Sequence, residues 1–354
     1  MKTTLSLIAL LGLAQSSSAF ELVLGAPKTE ALAVPFCIDF DEAGNLYGVE
    51  FEPGHRVFRL DTEGRFAFLG GQKGVVAPKE DNGKGDGGPI SEALFSGMHD
   101  LAVTRAGKVY LADSWVGRVR LHDPATGLIE TVAGTGRSGS SGDGGPATEA
   151  DFRQIFACAL SPDESRLHLV DIASRRVRYL DLRSGKVEAF AGTGEKGRPV
   201  DGEPALGQPL QNPRAVAVDP RDGSVYLVDR DGHSLIHVDT EGRLKTVVNV
   251  SGQKGATGDG GKAIEATLNG PKHAIVDGKG RVVIADAENH TIRRYDPATG
   301  LIELIAGTPG KVGDDLSENA VLLNRPHGVR LSRDGAWLYI VDSYNDRVLR
   351  MRYE

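Results

Sequence analysis

A six-bladed all-β propeller, built of four-stranded antiparallel blades and closed by the N-terminal strand joining the last blade, is predicted by three observations. An acid ending an apolar run recurs as Glu50, Asp113, Asp171, Asp229, Asp286 and Asp342, at spacings of 63, 58, 58, 57 and 56 residues. Each interval carries short strand-like runs separated by turn signals, and so long a period of strands and turns means a propeller. The last copy stops after its third run, residues 347–352, whereas Phe20-Glu21-Leu22-Val23-Leu24-Gly25 matches Ile302-Glu303-Leu304-Ile305-Ala306-Gly307 position by position. The N-terminal segment therefore supplies the missing strand and leaves no open seam between first and last blades.

Residues 1–19 carry Lys2, an apolar stretch from Leu5 to Ala14 and then Ser17-Ser18-Ala19, which is the pattern of a cleaved signal peptide. The apolar stretch is too short to span a bilayer. No cysteine follows the cleavage point to take a lipid anchor, and no other segment is apolar enough to cross a membrane. Residues 20–354 are thus expected to be the propeller, a soluble monomer that is secreted or periplasmic. Loss of Lys2 leaves 40 basic against 48 acidic residues. That balance excludes nucleic acid as a partner, because neutralising phosphates needs a basic surface or stripe.

Each innermost strand alternates larger apolar residues, such as Leu101 and Val103 or Val216 and Val218, with small ones such as Ala102 and Ala217. This is the period of two that stacked sheets require near a crowded axis. Tight turns follow, as in Asp123-Pro124-Ala125-Thr126-Gly127 and Asp296-Pro297-Ala298-Thr299-Gly300, where Asp, Pro and Gly supply local hydrogen bonds, fixed φ and positive φ. The links between blades contain Gly85-Asp86-Gly87-Gly88, Gly142-Asp143-Gly144-Gly145 and Gly258-Asp259-Gly260-Gly261. One carboxylate per link is too few for a calcium cage.

The six acids occur in every copy, so blade construction explains them more simply than chemistry. Four of them, Glu50, Asp113, Asp171 and Asp342, are followed by Arg56, Arg118, Arg176 and Arg347, which predicts structural ion pairs or turn ligands. Cys37 and Cys158 fall on non-neighbouring blades and opposite strand parities, which predicts buried free thiols. Trp337, within a strand, is expected in the core. Asn249-Val250-Ser251 and Asn289-His290-Thr291 fit glycosylation acceptors.

The runs Ala285-Asp286-Ala287-Glu288-Asn289-His290-Thr291-Ile292-Arg293-Arg294 and Val341-Asp342-Ser343-Tyr344-Asn345-Asp346-Arg347-Val348 resemble the NHL-repeat family, and the likeness covers residues 20–354. It implies the propeller fold and leaves function open, since such propellers host binding domains, lyases and sensors alike.

Residues that differ between copies are the better site candidates. At the start of the innermost strands the series reads Phe36, His99, Phe156, Arg214, Lys272, His327, and one position later Cys37, Asp100, Ala157, Ala215, His273, Gly328. This rim borders the long links and the loops after the acids, where propeller ligands sit around the channel mouth. Trp115 and Tyr344 occupy those loops in the blades of His99 and His327. Together with Phe36, Phe156, Arg214 and Lys272 they suit a peptide, a glycan or a small-molecule ligand, or another protein, held by stacking and by pairing with a carboxylate. The histidines also resemble the zinc site of the peptidyl-hydroxyglycine lyases, which implies a divalent metal, zinc or calcium, in the channel. Arg214 stands where a third histidine belongs, so His273 or Asp100 would have to complete the set. The alternative is that His99 and His327 bind backbone at strand starts. Calcium-dependent lactonases begin their first blade with Glu-Gly-Pro, where this chain has Ala33-Val34-Pro35. The expected role is a binding module, with a metal-dependent lyase or hydrolase on His99 and His327 as the other reading.

Overall fold

Runs such as Val282–Asp286, rich in β-branched residues and bounded by turn residues, fold into short antiparallel strands. In the computed structural model, which describes residues 20–78, 83–317 and 320–354, these strands form six four-stranded sheets. The expected leader, residues 1–19, lies outside the described residues. The innermost strands of blades 1 to 6 are Pro35–Phe40, Asp100–Val103, Ile155–Leu160, Pro213–Val218, His273–Val276 and Gly328–Leu331. A small hairpin, Leu316–Ser317 with Ala320–Val321, lies in the link between blades 5 and 6. No helix among the described residues is long and apolar enough to cross a membrane.

Blade 6 closes as predicted. Phe20–Leu24 is its outer strand, with Phe20 opposite Met351, Glu21 opposite Arg350 and Leu22 opposite Leu349. Its register slips between Leu22 and Leu24, and the outer pairings of the other blades slip at the matching place, before Phe58, Arg120, Arg178, Ile236 and Arg293. The N-terminal strand is therefore a full copy of the repeat, bulge included.

The six acids are scaffold. Each accepts a backbone N–H from the loop entering its own blade, from Ala33, Ser96, Gln154, Asn212, Asn269 and Asn324 in turn, at 2.7–2.9 Å. Two of the four expected ion pairs form, Glu50 with Arg56 at 2.5 Å and Asp342 with Arg347 at 2.7 Å. The other two arginines are drawn off by open carbonyls: Arg118 donates to Gly134 O and Thr135 O, and Arg176 to Thr193 O.

The glycine–aspartate links serve three arginines that lie wholly inside the protein. Arg120, Arg178 and Arg293 donate to Asp86, Asp143 and Asp259 at 2.9, 2.6 and 2.9 Å, and each also donates to two backbone carbonyls. A second latch joins neighbouring blades. His55, His233 and His290 adopt positive φ after the acid loops, and the Nδ1 of each accepts a backbone N–H from the next blade's entry, from Gly97, Gly270 and Arg325.

Both cysteines are buried free thiols, as expected. Trp337 stands at the edge of the core and not inside it: half-buried, it packs against the cluster of Phe40, Tyr339 and Val348 while Arg350 and Arg352 lie over its ring at 4.2 and 3.9 Å. The two glycosylation triplets are closed off in the fold. Asn249 donates to His233 O and Gln253 O, and Asn289 to Gly255 O and Asp286, from buried positions.

Candidate functional site

The innermost strands converge with their starts at one end of the axis, so the rim residues gather into one constellation. Phe36 stacks on His327 at 4.1 Å and on Phe51 at 4.5 Å. His99 stacks on Phe156 at 3.7 Å, and the Arg214 guanidinium lies 4.9 Å from the same ring. Trp115 packs edge-on to Phe51 and Tyr344 lies beside His327, both more than a third exposed. All six expected ligand-binding residues thus lie in or beside this mouth. Phe51 and Glu288 belong to it too and escaped the sequence reading, because both sit in loops whose reach depends on turn geometry. Glu288 accepts from Lys272 at 2.7 Å and from Arg325 at 2.6 Å.

The protonation states follow from the contacts. Nδ1 of His99 lies 2.7 Å from Gly97 O, and Nδ1 of His327 lies 2.8 Å from Arg325 O. A carbonyl only accepts, so both Nδ1 atoms carry hydrogen. Burial, reinforced by the charges of Arg214 and Lys272, holds both imidazoles well below their ordinary pKa. Both rings are therefore neutral near pH 7, with a lone pair on Nε2. The expected backbone hydrogen bonds exist and leave Nε2 free of protein partners among the described residues.

Arg214 is 4% exposed. Its one hydrogen bond among the described residues goes to Phe156 O at 3.3 Å, and no carboxylate pairs with it. Burial lowers its pKa to about 10, with Asp100 giving only a longer-range attraction. Lys272 is likewise buried, and burial lowers it to about 8 despite Glu288. Beside it a cavity of about 300 Å³ is lined by Arg230, Lys272, Arg325 and Glu288 among others.

The four expected metal ligands do not meet as one group. Asp100 and His273 converge instead with Cys37, in a cluster whose donor atoms all lie within 4.8 Å of one another. His99 and His327 stand one residue nearer the strand entry, among the aromatic rings. Calcium does not fit the mouth: its rim positions offer phenyl rings, imidazoles and two cations, where calcium takes six to eight oxygens. Ala33 has no carboxylate to give, and Glu50 is committed to Ala33 N and Arg56.

The sequence reading also missed the far end of the channel. A cavity of about 360 Å³ opens there, running from His273, Cys158 and Arg330 to Arg105, Glu164 and Arg333. A signal was present: Asp39 and Arg330 occupy inner-strand positions that are Ala102, Ala159, Ala217 and Ile275 in the other copies. They pair across the seam of blades 1 and 6 at 3.3 Å.

Among known proteins, the chain is 23% identical over 349 residues to NHL repeat-containing protein 2 of Bos taurus, covering 90% of this chain and 46% of that one. It spans less than half the length of the curated relatives it matches, among them a chloroplast protein, SUPPRESSOR OF QUENCHING 1, of Arabidopsis thaliana. An auxiliary nutrient binding protein from Bacteroides ovatus superposes with a TM-score of 0.65 at 14% identity, over 95% of this chain and 76% of that one. Virginiamycin B lyase from Staphylococcus aureus does so with a TM-score of 0.55 at 11% identity, over 95% of this chain and all of the other. At such identities these two likenesses speak for the fold alone. Residues 157–354, more than half of the chain, match the family described as SMP-30/Gluconolactonase/LRE-like region, and the chain belongs to that family.

Proposed function

We propose that the protein is an exported, monomeric binding module that takes a carboxylate-bearing ligand, such as a peptide C-terminus or an acidic sugar, at the channel mouth. The observation that carries this reading is Arg214, a buried guanidinium that lies against the Phe156 ring and whose one hydrogen bond among the described residues is a long contact to a carbonyl. A buried cation is costly unless paired, and a planar fork is best satisfied by a carboxylate. Lys272 adds a second positive charge. The free Nε2 atoms of His99 and His327 accept hydrogen bonds from ligand hydroxyls or amides, and Phe36, Phe156, Trp115 and Tyr344 offer stacking faces.

The test is calorimetric titration with acetylated dipeptides and uronic acids, each beside its neutral amide. A carboxylate is expected to bind where its amide does not, and Arg214→Met to weaken it about 10- to 100-fold, the worth of a charge-assisted hydrogen bond. Equal affinity for acid and amide throughout would sink the reading.

A metal-dependent lyase or hydrolase on His99 and His327 is favoured by one observation, the two free Nε2 lone pairs. Against it stand Arg214 and Lys272, which repel a dication. Stoichiometric zinc lost in both His99→Ala and His327→Ala would support it.

A further inference from the structure

We infer that the waist of the channel, one residue below the rim, is a site for a single divalent transition metal held by Cys37, Asp100 and His273. At this level blades 3, 4 and 6 contribute Ala157, Ala215 and Gly328, whereas blades 1, 2 and 5 contribute a thiol, a carboxyl and an imidazole. The small residues leave the waist to the three donors, and at Gly328 even a Cβ would stand 2.6 Å from Phe36 O. Cys37 Sγ lies 3.6 Å from His273 Nε2, which lies 3.9 Å from Asp100 Oδ1. Ligand bonds of about 2.0–2.3 Å at tetrahedral angles put donor atoms roughly 3.3–3.6 Å apart, so only small shifts separate these residues from an ion's first coordination sphere.

The donor chemistry selects the ion. One sulfur, one nitrogen and one oxygen suit zinc or cobalt, not calcium or magnesium. Asp100 is buried and accepts N–H groups from Leu101 and Cys158, yet no lysine or arginine among the described residues pairs with it. Two inner-strand cations act on this level: Arg330, engaged with Asp39 and Ile38 O, and Arg214, whose hydrogen bond among the described residues goes to Phe156 O. An entering dication would meet a carboxylate and a thiolate, which offset its charge, while the Cys37 proton leaves to solvent. His273 would move its proton from Nε2 to Nδ1, giving up a long 3.4 Å hydrogen bond from Val329 N–H. Three protein ligands leave one coordination place for water or a ligand, and the cavity of about 360 Å³ bordered by His273 gives it room and a way in.

Cobalt(II) titration of the full chain tests this. The expected result is one equivalent bound, a thiolate-to-cobalt charge-transfer band in the near ultraviolet, and one proton released. Cys37→Ser is expected to abolish the band. Asp100→Asn is expected to keep it while weakening binding by more than the roughly 10- to 100-fold that loss of a supporting contact costs. Should Cys37→Ser not fold, Asp100→Asn decides alone. His99→Ala with His327→Ala leaves uptake unchanged if the waist is the site. No saturable one-to-one uptake by the folded protein, a band surviving Cys37→Ser, unchanged affinity in Asp100→Asn, or uptake lost with the rim histidines would each overturn the assignment.

Discussion

Four arginines lie almost wholly inside this protein and fall into two kinds. Arg120, Arg178 and Arg293 each reach a carboxylate and two carbonyls, so their charge is matched and their donors are used. Arg214 makes one hydrogen bond among the described residues, at 3.3 Å, and otherwise lies against the Phe156 ring. Buried cations need partners, and where the chain supplies them the residue is scaffold. Where it does not, the proposed carboxylate ligand would supply the missing partner. The same contrast separates the latch histidines, whose Nδ1 atoms accept from the next blade, from His99 and His327, which keep a lone pair free.

The contrast breaks most sharply under substitution. Arg178→Met leaves Asp143 and two carbonyls without their donor and is expected to cost about 3–5 kcal/mol, measured by denaturant unfolding. Arg214→Met removes a poorly paired charge and is expected to stay within about 1 kcal/mol of the parent or above it. A large loss for Arg214→Met would place it with the structural set and remove the main support for a carboxylate ligand.

The acids sharpen the scaffold side. Asp229 pairs with no arginine and accepts N–H groups from Gln211, Asn212 and Gly232 at 2.8–3.1 Å. Asp229→Ala leaves these donors bare where the chain enters blade 4, for an expected loss of about 2–4 kcal/mol. Thermal unfolding with unchanged ligand affinity below the transition is the outcome that fits. A smaller effect, on the order of 1 kcal/mol, is expected for His290→Ala, which deletes one latch to Arg325.

These pairings also show what could be read in advance. Closure was legible because residues 20–25 repeat residues 302–307, and the acids because each copy needs the same loop tie. The rim series was legible because strand starts share a register. The convergence of Cys37 with Asp100 and His273 was not, because strand parity describes the faces of a flat sheet, whereas six tilted strands bring blades 1, 2 and 5 together across an axis. Glu288 and Phe51 were hidden for a related reason: their positions depend on left-handed turn residues such as His290 and His55, whose φ values of 59° and 50° aim the acid loops at the mouth. The buried role of Arg120, Arg178 and Arg293 was hidden as well, since an arginine at a core position reads as an error until its aspartate from a distant link is seen.

The smallest expected effect concerns Lys272 and separates recognition from stability by sign. Burial lowers its pKa to about 8, against the opposing pull of Glu288. Its positive charge is present below that value and is lost as pH rises through it, so affinity for a carboxylate ligand is expected to hold from pH 6.5 to 7.5 and then fall about three- to tenfold by pH 9, the effect of roughly 1 kcal/mol. Arg214, lowered only to about 10, keeps its charge over this range. The rim histidines are already neutral and add no step near pH 7. The folding equilibrium runs the other way. The unfolded lysine holds its proton up to its ordinary pKa, so between about 8 and 10.5 unfolding binds a proton, and this residue's contribution makes the folded state more stable as pH rises. Titration calorimetry and melting curves taken at the same pH values, on the parent and on Lys272→Met, check both signs. Affinity that falls in the parent but is flat in the variant assigns the effect to Lys272, whereas an identical fall in both would assign it to the ligand or to another group.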